Sequence, residues 1–240
     1  MCLMGRNNWF EFKQFRVEQH KSAMKVGTDG VLLGAWTPLD GACRILDVGT
    51  GTGLIALMLA QRSEARIDAV EIDLTASEEA KFNFEQSAWS ERLTLFNVDF
   101  QQFACSSENT YDLIVSNPPF FVNSLKTSNA ALAVARHNDW LSFSQLISGA
   151  RKLLGRSGRL CVILPASSYA EFRESARLAG FYLHQLTSII PKTGKASKRI
   201  LMEFSLEAGY PSEDELTILD SDDLYTEDYK MLTASFYPAF

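Results

Sequence analysis

The chain has 240 residues, 46% hydrophobic and 22% charged, with a formal net charge of −6, enough for one domain of the larger kind with a substantial core. No apolar run approaches the roughly 20 residues a membrane span needs, and the first eight residues lack a signal-peptide core. These features lead to the expectation of a cytoplasmic protein without a membrane-spanning helix.

Four cysteines (Cys2, Cys43, Cys105 and Cys161) show no C-x-x-C pair. They read as reduced thiols with no zinc site, and Cys43 and Cys161 read as small core residues within strand-like runs. The negative charge argues at first against a nucleic-acid partner, but eight of the acids lie between residues 213 and 228, and without them the remainder carries +2. Lys192, Lys195, Lys198 and Arg199 form a cluster free of acids, and Arg6, Lys13, Arg16, Lys21 and Lys25 fall early. A modest basic face and an ordinary solvated surface both account for these cations.

In chain order, the aromatic stretch 9–17 (WFEFKQFRV) predicts a short hairpin. Thr28 or Asp29 is expected to cap a helix that continues through 31–36 and ends before Pro38 and Gly41. Residues 44–48 predict the first core strand, running into a glycine turn and then an apolar helix over 54–61. Strand, glycine turn and helix together form a nucleotide-binding arrangement. The spacing is Asp47-x-Gly49-x-Gly51-x-Gly53, with glycine at every second position. It is neither the G-x-G-x-x-G of dehydrogenases nor a phosphate loop, because no Lys-Ser/Thr pair follows.

Residues 67–73 predict the second strand, and Glu71 near its carboxyl end is placed to accept both hydroxyls of a ribose. A helix over 74–88 follows. Residues 93–98 predict the third strand, and Asp99 after it either grips a planar base beside an apolar wall or caps a helix at 100–103. Residues 111–115 read as a buried parallel strand, followed by Ser116-Asn117-Pro118-Pro119-Phe120.

That corner carries specific chemistry. Two prolines stiffen the turn and turn its carbonyls outward. Asn117 adds a side-chain acceptor and Phe120 a flat apolar face. Acceptors beside a stacking ring suit a planar NH2 donor such as the exocyclic amine of adenine, although a plain strand-ending turn uses the same residue types. A polar connection, 121–135, is expected to form a loop over the site, and His137 reads as a solvated helix-start residue rather than a phosphate contact.

The remainder predicts a helix over 140–154, a turn at Gly155 and Gly158, a strand over 160–165 and a helix over 171–179. Two antiparallel strands, 181–190 and 199–206, join through the basic loop 191–198, and a short apolar run at 216–219 and a helix at 226–236 finish the chain.

The glycine turn Asp47-Val48-Gly49-Thr50-Gly51-Thr52-Gly53 resembles the first motif of class I S-adenosylmethionine-dependent methyltransferases. Asn117-Pro118-Pro119-Phe120 resembles the [N/D/S]-P-P-[Y/F] motif of those that methylate planar amino groups. With Phe12-Lys13-Gln14-Phe15, the stretch 24–30 (MKVGTDG) and the ending 225–237, nearly the whole chain is similar to the bacterial tRNA1(Val) adenine-37 N6-methyltransferase family. Two departures stand out: Phe120, where tyrosine is frequent, keeps the stacking face but no hydroxyl, and Thr50 and Thr52 occupy the glycine turn.

The resemblance implies an α/β Rossmann-like fold, with a mostly parallel, seven-stranded twisted sheet, one antiparallel strand and helices on both faces. It implies one domain over 1–240: an N-terminal hairpin and capping helix (1–41), the core (42–207), and an acidic tail and helix (208–240). S-adenosylmethionine is the implied cofactor and the tRNA anticodon loop the implied partner, with no metal and no membrane; monomer and weak dimer both remain open. Gly49, Gly51 and Gly53 would approach the cofactor's methionine part, Asp47 would order the turn, and Glu71 would hold the ribose. Val98 and Asp99 would flank the cofactor adenine, Thr28 would close the pocket, and Asn117 lies between cofactor and target. Asn117 and Pro118 would accept hydrogen bonds from the target amine, with Pro119 fixing the corner and Phe120 stacked on the base. Competing readings are an amino methyltransferase acting on ribosomal RNA, DNA or a protein glutamine, a nicotinamide dehydrogenase, and a noncatalytic RNA-binding protein. Only about 40 residues precede the first core strand, which disfavours the glutamine enzyme with its leading helical domain; the dehydrogenase leaves 117–120 unexplained, and the intact motif disfavours the noncatalytic protein.

Overall fold

The computed structural model describes residues 7–22, 24–118 and 141–240. The expectations for Arg6, Cys2, Pro119, Phe120, the connection 121–135 and His137 lie outside these residues.

Alternating Phe10, Phe12, Phe15 and Val17 fold into a hairpin of β1 (Trp9–Glu11) and β2 (Arg16–Glu18), paired antiparallel. Next come α1 (Thr28–Trp36), β3 (Arg44–Val48), α2 (Leu54–Arg62), β4 (Arg66–Glu71) and α3 (Leu74–Glu85). They are followed by β5 (Leu93–Asn97), α4 (Phe100–Ser106) and β6 (Tyr111–Ser116). The chain ends with α5 (Phe143–Leu153), β7 (Leu154–Pro165), α6 (Tyr169–Leu178), β8 (Tyr182–Lys192), β9 (Arg199–Ser205), β10 (Ser212–Leu219) and α7 (Glu227–Thr233).

The sheet order is β10-β8-β9-β7-β6-β3-β4-β5, and β9 alone runs against the others. The sheet thus has eight strands where the sequence led us to expect seven. The extra one is the tail run around Leu216, which pairs parallel with β8 instead of standing free, because Leu216 buries against the sheet.

Side chains alternate between the two faces, as the period of a strand requires. On one face Ile45, Leu113, Val115 and Ile163 meet α1, α2, α7 and the hairpin. On the other Leu46, Ile114, Val162 and Met202 meet α4, α5 and α6. Burial on both faces explains why the central strands read as continuous apolar runs rather than alternating ones.

Several local expectations change. Neither Thr28 nor Asp29 caps α1: the cap position is Gly27, without a side-chain bond, while the Asp29 carboxylate accepts from Arg199 Nε at 2.7 Å. Gly155 and Gly158 do not end an element; they lie in β7, where the register with β6 jumps from Tyr111↔Leu154 to Leu113↔Arg159. Cys43 is exposed just before β3, whereas Cys161 is buried as expected. α5 opens on a capping box in which Ser142 Oγ accepts from Gln145 N–H and the Gln145 side chain accepts from Ser142 N–H.

Candidate active site

Four parallel strands end on one rim of the sheet. In register, Val48 faces Val70 and Ser116, and Glu71 faces Asn97. The glycine turn after β3, Glu71 at the end of β4, Val98 and Asp99 after β5, and Asn117 after β6 therefore share that rim. The strand order reverses between β3 and β6, with β4 and β5 laid to one side and β6 and β7 to the other. That crevice is where open α/β sheets bind ligands.

The glycine turn is held from several sides. The N–H groups of Gly49 and Thr50 both donate to Val70 O, at 2.9 and 3.1 Å, and Gly53 N–H donates to Thr50 O at 2.9 Å. Gly51 N–H donates to Glu71 Oε2 at 2.8 Å, while Glu71 Oε1 accepts from Asp73 N–H at 2.9 Å. Asp47 Oδ2 accepts from Thr50 Oγ1 at 2.6 Å and from Ala56 N–H at 3.2 Å. Gly49, Gly51 and Gly53 have φ of +72°, +58° and +86°, the left-handed region that favours glycine. A Cβ placed on Gly49 or Gly51 would meet nothing within 4 Å, so the turn offers bare backbone to open space.

Two oxygens here are buried without a hydrogen-bond partner among the described residues, Asp47 Oδ1 and Asn117 Oδ1. A buried unpaired acceptor is costly and calls for a donor from beyond the described residues. Burial pushes the Asp47 carboxyl up to about 7, with the Glu71 charge adding to the rise and the bonds from Thr50 and Ala56 opposing it. Ser116 Oγ donates to Val48 O at 2.9 Å, fixing the end of β6 to the end of β3 just before Asn117.

The rim brings together most of the residues picked out in the sequence. Thr28 begins α1, and Asp29 beside it is tied to Arg199 at the start of β9. Asp99 caps α4, its Oδ1 accepting from Gln102 N–H at 3.0 Å. The basic cluster is less free than the sequence suggests, since Lys192 pairs with Asp223 at 2.7 Å and Arg199 with Asp29 at 2.7 Å. Both acids are remote in sequence, which is why the local charge count missed them.

Sequence reasoning overlooked Asn97 and Ile72. Asn97 Nδ2 donates to the carbonyls of Glu71 and Ile72 at 2.8 and 3.2 Å and fixes the Glu71 corner. Ile72 and Leu74 are 56% and 62% exposed beside Glu71, large apolar side chains left in water at the mouth of the site. The signal for Ile72 was an apolar residue directly following a strand-end acid.

Comparison with known proteins accounts for this rim. Residues 27–172 match the Methyltransferase small domain family. A curated relative from Trichodesmium erythraeum, named tRNA1(Val) (adenine(37)-N6)-methyltransferase, is 46% identical over 237 residues, which cover 98% of this chain and 99% of the relative. The chain belongs to the tRNA1(Val) (adenine(37)-N6)-methyltransferase family. Solved structures agree on the fold. A predicted O-methyltransferase of Agrobacterium tumefaciens superposes with a TM-score of 0.69 at 20% identity, over 87% of this chain and 96% of that one. A 16S rRNA N2 G1207 methyltransferase of T. thermophilus, in complex with AdoMet and guanosine, gives 0.57 at 19% identity, over 84% of this chain and 51% of that one.

The cofactor of the family is S-adenosylmethionine, and the rim fits it. Its charged, donor-bearing amino acid part suits a turn of bare backbone backed by the unpaired Asp47 Oδ1. A ribose diol suits a strand-end carboxylate that keeps spare lone pairs, and its adenine suits an exposed apolar wall.

Proposed function

We propose that this chain transfers a methyl group to the exocyclic N6 of adenosine 37 in the anticodon loop of tRNA1(Val), in the cytoplasm, as a single catalytic domain. The observation that carries the catalytic assignment is Asn117 Oδ1, buried and unpaired among the described residues at the end of the strand beside the cofactor turn. The names of the full-length relatives support the substrate.

In this reading Gly49, Gly51 and Gly53 hold the methionine part of S-adenosylmethionine and Glu71 accepts from the ribose. Val98, Asp99 and Ile72 flank the adenine, and Thr28 closes the pocket. Bound there, S-adenosylmethionine supplies an electrophilic methyl group. The residues of the chain then have to make a poor nucleophile reactive, because the lone pair of an aromatic amine is delocalised into its ring. Asn117 Oδ1 and the Pro118 carbonyl accept the two N–H groups, favour a pyramidal nitrogen, and hold its lone pair toward the glycine turn. Pro119 keeps the corner rigid and Phe120 stacks on the extruded base. The alkylated nitrogen sheds its proton readily, so a motif without His or Lys suffices. Positioning and local polarity carry the catalysis. Unstacking the base costs a few kcal/mol, of which stacking on Phe120 returns about 1–3 kcal/mol. A single-stranded loop lowers the cost further.

Asn117→Ala tests the assignment. Calorimetry with S-adenosylhomocysteine is expected to show near-normal affinity, while single-turnover transfer to tRNA falls at least about tenfold for the lost acceptor. Unchanged transfer refutes the role. Methylation of total RNA from cells lacking the protein, with labelled cofactor and mapping of the modified base, tests the substrate; label at any position other than adenosine 37 of tRNA1(Val) overturns it.

A further inference from the structure

α3 carries two polar side chains one turn apart, Glu79 and Asn83, only 6% and 2% exposed. Their spacing of four residues puts them on one face of the helix. The Glu79 oxygens accept from Lys21 N–H at 3.0 Å and Ser22 N–H at 2.9 Å. Asn83 goes further: its Oδ1 accepts from Glu18 N–H at 2.8 Å, and its Nδ2 donates to Glu18 O and to Thr52 O, both at 2.9 Å. Thr52 lies within the glycine turn. The two contacts to Glu18 copy the pairing of a neighbouring strand, and the second amide N–H reaches across to the turn.

These contacts suit an amide and no other small side chain. One acceptor meets one N–H, and two donors meet two carbonyls. An aspartate of the same shape would aim an oxygen at both carbonyls. Asn83 adds to the bonds that Gly49, Gly51 and Gly53 N–H make to Val70 O, Glu71 Oε2 and Thr50 O, by holding the carbonyl of Thr52 between the last two glycines. The segment that Asn83 grips at Glu18 runs on toward Thr28, the first residue of α1.

We infer that Asn83 is a positioning residue for the cofactor, locking the glycine turn and coupling it to the N-terminal segment that ends at Thr28. The inference rests on the reading that residues 49–53 hold S-adenosylmethionine. It is tested by titrating the full chain with S-adenosylhomocysteine, as wild type and as Asn83→Asp, Gly51→Val and Tyr111→Phe. Asn83→Asp is expected to bind at least about tenfold more weakly, while its single-turnover rate at saturating S-adenosylmethionine stays within about threefold of wild type. A merely structural residue lowers the melting temperature without moving the affinity of the folded protein. Tyr111→Phe supplies that comparison, since its lost bond, Tyr111 OH to Asp68 Oδ2 at 2.7 Å, lies at the opposite end of the strands. If Gly51→Val binds like wild type, the glycine turn does not hold the cofactor and the inference falls with that reading. If Gly51→Val is weakened and Asn83→Asp is not, the assignment of Asn83 alone is overturned. Should Asn83→Asp not fold, Asn83→Ala takes its place with the same expected result, and if neither folds, Asn83 is structural and the inference is wrong.

Discussion

Gly53→Ala and Gly49→Ala together separate two reasons for glycine in the turn. Both residues have positive φ, so each alanine carries the left-handed strain of about 1–2 kcal/mol. They differ in surroundings. At Gly49 the new methyl meets nothing within 4 Å, whereas at Gly53 it lands 2.5 Å from Phe84 Cε1, with two more ring atoms at 3.2 and 3.3 Å. Carbon atoms pack at about 3.5–4.0 Å, so the ring has to retreat by roughly 1 Å or the turn has to open. Phe84 is 4% exposed, held in the core against α2 and the hairpin. Forcing such a site typically costs about 1–3 kcal/mol. Gly53→Ala should therefore lose about 2–5 kcal/mol in all and Gly49→Ala only about 1–2 kcal/mol. At about 2–4 °C per kcal/mol for a domain of this size, calorimetric melting without ligand should place Gly53→Ala several degrees below Gly49→Ala. Equal melting temperatures would refute the packing argument and leave conformational strain as the whole reason for the third glycine.

Two further outcomes are expected. The Asp47 carboxyl titrates near 7 in the fold against an ordinary 3.8, so the fold favours its protonated form. The associated stability is full below about pH 4 and lost as pH rises through about 7, at most roughly 4 kcal/mol at 1.36 kcal/mol per unit. Denaturation of the ligand-free protein at pH 5 and pH 8 should show a fall that Asp47→Asn lacks; parallel falls in both proteins would sink this account. At the rim, Lys195→Glu with Lys198→Glu should weaken tRNA binding and reduce its salt slope by about 2 while leaving S-adenosylhomocysteine affinity unchanged. An unaltered slope would place the RNA elsewhere.

The core strands were legible because burial on both faces leaves a plain apolar signature, and the glycine turn because its spacing sits between such a strand and an apolar helix. Asn117 was legible from the prolines that follow it. What escaped was whatever depends on partners distant in sequence. Asp29 looked like a cap but is taken by Arg199, and Asp99 resolved into a cap only once α4 was in place. β10 looked like a tail because its first residues, Ser212 to Glu215, are polar and exposed, and only the later Leu216 betrays a sheet neighbour. Asn83 sits in a helix of unremarkable composition, and its importance comes entirely from Glu18 and Thr52, which no local pattern connects to it.

β10 forms one border of the sheet, and a bare border of unpaired backbone invites another copy to add itself and aggregate. Glu213, Asp214 and Glu215 crowd negative charge onto the entry half of that border, where like charges on an approaching chain would be pushed away. From there to Leu219, at the cofactor side, is roughly 20 Å of strand at about 3.3 Å per residue, some two screening lengths in physiological salt. Those three acids guard solubility from a distance at which a polyanion arriving at the far end hardly senses them.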